Sequence, residues 1–95
     1  MDASRIAISG PLASHVPGLW SLLAGRGYRP LSIANVARLM AHLSRWLARE
    51  RLTPTDLTSH QIGQFLRHRK RAGYTGWLST RGLEPILEYL RTVGL

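Results

Sequence analysis

Apolar residues recur every three or four positions in four stretches of this chain, and strict alternation is nearly absent, so the pattern predicts helices and no sheet. The first predicted helix follows Ser9-Gly10-Pro11, with Pro11 in its first turn, and carries Leu12, Val16, Leu19, Trp20 and Leu23 before Gly25-Arg26-Gly27 ends it. Pro17 interrupts this run and either kinks the helix or moves its start to that point. The second is the clearest: Ser32 is read as its N-cap, and it continues through Leu47 to about Glu50. Val36, Leu39, Met40, Leu43 and Leu47 form its apolar stripe, while Asn35, Arg38, His42, Arg45 and Arg49 recur at spacings of three and four on another face.

After Leu52-Thr53-Pro54-Thr55-Asp56-Leu57, Thr58 with Gln61 reads as a capping box. The third helix then bears Ile62, Phe65 and Leu66 and closes with Arg67-His68-Arg69-Lys70-Arg71 before Gly73. A loop, Tyr74 to Leu78, leads to Ser79 as N-cap of a fourth helix with Leu83, Ile86, Leu87 and Leu90 and a stop at Gly94; Pro85 blurs where that helix begins. Residues 1–8 lack any such periodicity and are expected to form a flexible N-terminus ahead of one helical domain, 9–95.

Composition narrows the functional classes. Ninety-five residues, 44% of them hydrophobic, suffice for one core. The formal net charge is +8, and of the 13 basic side chains only Lys70 is a lysine. Arginine forks two donors onto phosphate oxygens or a guanine edge and stacks on bases, so this bias suits nucleic acid; an anionic membrane surface is the electrostatic competitor. With no cysteine, the chain can build neither a disulfide nor a thiolate metal site. His15, His42, His60 and His68 lack metal-ligand spacing, so no metal or other cofactor is expected. No apolar run approaches the length of a membrane span and no leader pattern opens the chain, which gives a cytoplasmic expectation.

The polar stripe of the second helix is the main candidate for nucleic-acid contact, because an α-helix presenting forked donors along one face can lie in a major groove or along its phosphate walls. The plain alternative is a solvated face, which any amphipathic helix needs; only Glu50 stands nearby to pair these cations. The Arg67 to Arg71 cluster, with Arg69 and Lys70 in the candidate set, adds phosphate attraction without sequence selection, although basic residues in a last turn also suit the helix dipole. Ser32 and Ser79 serve first as caps, yet a helix N-terminus also receives phosphate; Thr80 and Arg81, just past the Ser79 cap, join the candidate set. Trp20 and Trp46 lie near the apolar stripes and read as packing residues.

The order of these pieces carries a resemblance. Arg26-Gly27-Tyr28, then Arg29-Pro30-Leu31-Ser32 opening a long helix that ends in Arg45-Trp46-Leu47, resembles the N-terminal SAM-like core-binding domain of tyrosine recombinases, the phage-integrase family. Leu52-Thr53-Pro54 followed by Phe65-Leu66 is similar to the family's third helix, and Ser79-Thr80-Arg81 through Glu88-Tyr89-Leu90-Arg91 to its fourth. The resemblance spans about residues 11–94. It implies an all-α, orthogonal four-helix bundle that clamps duplex DNA at a recombination site, alongside other recombinase protomers and a catalytic domain expected beyond residue 95. Glu84, Pro85 and Glu88 depart from the family's DNA-facing fourth helix, since carboxylates near phosphate repel unless turned away.

No catalytic set is legible in the chain itself: His15 with Ser14, and Asp56 with His60, lack a third orienting group and an oxyanion-type loop. The expectation is a binding domain, not an enzyme. Its rivals are a standalone helical protein-interaction module, which requires an exposed apolar groove, and a basic RNA-binding domain.

Overall fold

In a computed structural model, which describes residues 10–74, 76 and 80–94, the chain forms α1 (Val16–Gly25), α2 (Pro30–Arg49), α3 (Ser59–Arg71) and α4 (Thr80–Thr92), with short 3-10 turns at Ala13–His15 and Pro54–Asp56 and no strand among the described residues. The all-helical expectation is met. No helix among these residues is long and apolar enough to cross a membrane.

The first helix starts later than the spacing from Pro11 suggests. Pro17 occupies its first turn, where the missing N–H has no partner to lose; a helix begun at Pro11 would drive the Pro17 ring into the carbonyl four residues back. Leu12 is nonetheless fully buried, and its N–H donates to Ser44 Oγ at 3.0 Å. The second helix starts earlier than expected, for the same reason. Pro30 sits in its first turn, and the extended residue before it, Arg29, takes the capping position. Ser32 is therefore an exposed residue inside the helix and not its N-cap, which corrects the sequence reading.

Helix α2 runs through the middle of the fold. Between Ile33 and Leu47 every residue is buried except Asn35, Arg38 and Arg45, so the helix is enclosed on nearly all sides and not merely on one stripe. It packs on α1 and α4, and α4 in turn on α1 and α3. The core joins Leu12, Leu19 and Leu23 to Ile33, Met40, Leu43 and Leu47 of α2, Phe65 of α3 and Leu83 and Ile86 of α4. Trp46 is buried and Trp20 packs partly buried against the same core, as their spacing suggested.

Thr58 does cap α3, its side chain accepting the Gln61 N–H at 3.3 Å. The returning half of the expected box is not needed, because the Thr58 N–H already donates to the Asp56 carbonyl at 2.8 Å. The carboxylate that reaches back to a backbone N–H belongs one turn earlier: Asp56 Oδ2 accepts from Thr53 N at 2.7 Å. At the other end, Gly73 takes φ +96°, so that its N–H reaches the Lys70 carbonyl and the Tyr74 N–H the Arg69 carbonyl. Helix α2 ends in the same paired bonds, but with Arg51, at φ +58°, in the position that glycine usually fills.

Helix α4 continues across Pro85, at the cost of the donor that the Arg81 carbonyl would otherwise meet. Ser79, expected as its N-cap, lies outside the described residues.

Candidate nucleic-acid interface

The outward face of α2 is a narrow strip. Arg38, Arg45 and Arg49 are exposed along it, Asn35 is half-buried, and Asn35 Oδ1 accepts from Arg38 Nη1 at 3.1 Å, which holds that guanidinium along the helix. Four of the five predicted stripe residues thus share one open face. His42 does not: it is 8% exposed, and its place on a solvated stripe is corrected.

Arg69 from α3 covers it. This arginine was expected among the surface phosphate contacts but is only 6% exposed. Its Nη1 donates to His42 Nδ1 at 2.8 Å, while Nε and Nη2 both donate to the Gly76 carbonyl, at 3.2 and 3.0 Å. The guanidinium also lies 4.2 Å from the centre of the Tyr74 ring. A buried cation is tolerated without a carboxylate because a carbonyl, an imidazole lone pair and an aromatic face share its solvation. Arginine can only donate, so His42 Nδ1 must accept and the ring carries its proton on Nε2. Burial, then the charges of Arg69, Arg45, His68 and Arg49, push the His42 pKa down to about 4; burial likewise lowers that of Arg69. His42 is neutral at pH 7, packed edge-on against Phe65 and tilted 33° against Tyr74 with ring centres 4.7 Å apart.

Beside this cluster, a cleft of about 290 Å³ runs between the C-terminal half of α2 and the end of α3. Arg45 and Arg49 stand on its α2 wall, His68 and Tyr74 on the other, with His42 and Trp46 between, and no carboxylate among the described residues lines it. A second cleft of about 280 Å³ shares Trp46 and His68 and extends to Arg71, His60, Gln64 and Glu50. The two clefts meet at Trp46 and His68, and the first is lined by Arg45 and Arg49 of the α2 strip.

The remaining candidates are dispersed. Lys70 is exposed on α3 but lines neither cleft. Thr80 opens α4; Ser32 is exposed in the first turn of α2 and Arg81 on α4, and neither of these two lines the clefts. The concern about carboxylates on α4 is partly met: Glu88 forms a two-pronged pair with Arg26 of α1, at 2.8 and 2.9 Å, and Arg26 holds its carboxyl below the usual range. That is the only ion pair among the described residues, so the strip arginines carry charge that no carboxylate balances.

Sequence reasoning placed His68 and Arg71 in a basic cluster at the end of the third helix but did not join them, or Tyr74, to the α2 strip as one surface. For Arg69 a signal existed: Ile62, Phe65, Leu66 and Arg69 share helical spacing, which puts the arginine on the apolar face of α3. Tyr74 had none, since its position follows from the turn at Gly73 and from a side chain it meets only in the fold.

Comparison of the chain with protein-family models, with curated proteins and with solved structures finds no match in any of the three.

Proposed function

We propose that this domain binds duplex DNA along the α2 strip and the adjoining end of α3, as the core-binding arm of a tyrosine site-specific recombinase. The observation that carries the reading is the strip itself: Arg38, Arg45 and Arg49 are the exposed cations of an otherwise enclosed helix, and none has a carboxylate partner among the described residues. Like charges at i, i+4, as at Arg45 and Arg49, cost a few tenths of a kcal/mol on a helix, a repulsion that a phosphate backbone would relieve. The helix is rigidly seated, so its donors are preorganised for a groove or its walls. The recombinase half of the reading, with its orthogonal SAM-like bundle, rests on the order of the capping and helix-end motifs in the sequence. It implies a partner catalytic domain that raises effective concentration on DNA and supplies the reaction.

The test is duplex binding at low salt by the double variant Arg38→Ala, Arg45→Ala against the wild type, by fluorescence anisotropy. Both side chains are exposed, so thermal stability should hardly change, while affinity should drop at least tenfold, about 1.4 kcal/mol. Equal affinity would sink the assignment. Coding sequence past Leu95 tests the rest: the reading expects a separated arginine, a His-x-x-Arg and a late tyrosine there.

A further inference from the structure

We propose that Tyr74 is a stacking platform for an unpaired nucleobase, and that the cleft it borders takes a short stretch of single-stranded polynucleotide with its phosphates on Arg45 and Arg49. The inference rests on the nucleic-acid reading above but assigns to this cleft a strand state that the duplex reading does not require.

Three observations meet here. First, Tyr74 is 43% exposed although it is anchored: the Arg69 guanidinium lies 4.2 Å from its ring centre, His42 packs at 4.7 Å, and its N–H is bonded to the Arg69 carbonyl. An exposed aromatic ring that is already immobilised loses little freedom on binding, which is what a stacking surface needs. Second, Arg69 is fixed by three hydrogen bonds, one to His42 and two to the Gly76 carbonyl, so the support beneath the ring is itself rigid. Third, the cleft pairs this ring with two guanidinium groups that no carboxylate among the described residues balances or accompanies. An aromatic face beside a cationic wall is the combination by which proteins hold single strands, the base on the ring and the backbone along the charges. A cleft of about 290 Å³ admits a splayed base, whereas a duplex offers it only an edge.

The experiment is anisotropy titration of the intact chain with a short labelled oligothymidylate, an oligouridylate of equal length and a duplex, for the wild type, Tyr74→Leu, Tyr74→Phe and Tyr74→Trp, each checked by circular dichroism. Tyr74→Leu should bind one or both single strands roughly 5- to 150-fold more weakly, with duplex affinity within about twofold of wild type. Tyr74→Phe and Tyr74→Trp should bind like the wild type. Whichever single strand loses affinity identifies the sugar that the cleft accepts. Should Tyr74→Leu fail to fold, NMR of the wild type decides: ring-current shifts of the Tyr74 protons on adding oligonucleotide support stacking, and their absence at saturation refutes it. Unchanged single-strand affinity in a folded Tyr74→Leu, or a wild type that binds duplex and no single strand, overturns this inference and leaves the duplex reading intact. A chain that binds neither overturns both.

Discussion

Lowering the pH should loosen this fold through one side chain. His42 is buried, accepts a hydrogen bond from Arg69, and has its pKa pushed from 6.5 down to about 4. Above pH 6.5 it is neutral whether the chain is folded or not, and contributes no pH dependence. Between 6.5 and 4 the unfolded chain binds a proton that the folded one refuses, so stability falls as pH falls. Below 4 the folded form protonates too and the loss is complete. A drop of about two and a half pH units corresponds to about 3 kcal/mol in all, of which about 2 kcal/mol is lost between pH 7.5 and 5. Set against the 5–15 kcal/mol typical of small domains, that is a large share, equivalent to roughly 8–16 °C in Tm. Glu88, held low by Arg26, acts in the same direction but only below about its ordinary value of 4.5, so a comparison that stops at pH 5 isolates the imidazole. Urea unfolding at pH 7.5 and pH 5 measures the loss; His42→Gln supplies the control, because an amide oxygen can accept from Arg69 without titrating. The expected outcome is a loss of about 2 kcal/mol in the wild type and a much smaller one in the variant. Equal losses in the two, or a wild type indifferent to pH in this range, would refute the reasoning.

Other perturbations address other parts of the structure. Gly18→Ala places a methyl group against the hydroxyl and ring of Tyr89; urea unfolding should record a loss of about 1–3 kcal/mol, partly recovered on adding Tyr89→Phe. Arg51→Gly relieves the left-handed residue that ends α2 and should raise the unfolding free energy by up to about 1 kcal/mol; a lower midpoint would contradict it. If Arg38, Arg45 and Arg49 each meet a phosphate, the logarithm of duplex affinity should fall against log salt with a slope of roughly −3, made shallower by about one in Arg45→Ala. A slope unchanged by that substitution would remove Arg45 from the contact.

Much of the scaffold was legible because helices declare themselves locally. The period of Val36, Leu39, Met40, Leu43 and Leu47, the Thr58 cap and the stops at Gly73 and Gly94 depend on neighbours within a turn or two, and the structure matches them. One start was misjudged, at Ser32, where a first-turn proline outranked a better-looking cap; for α1 the alternative start at Pro17 held over the one at Pro11. The site was harder. Arg38, Arg45 and Arg49 were found by spacing alone, but His42 shares that spacing while standing equally close to Leu39, Leu43 and Trp46, and what decides between water and core is whether another helix arrives above it. That arrival, by Arg69 and Tyr74 from 27 and 32 residues further along, is a tertiary event. Local pattern could register a basic cluster at the end of α3, and the spacing of Ile62, Phe65 and Arg69 could place one arginine on the apolar face; it could not say that this arginine supports the Tyr74 ring.

The enclosure of α2 also bears on how this surface could be changed. Across the span from Ile33 to Leu47 only positions 35, 38 and 45 face outward, so a substitution elsewhere in that span disturbs packing before it alters any contact made by the strip. On the proposed reading, recognition and folding are written on separate letters of the same helix. A library randomised at 35, 38, 45 and 49 would therefore vary the reading surface while every member keeps the same frame, and selected variants should differ in affinity and preference far more than in melting temperature.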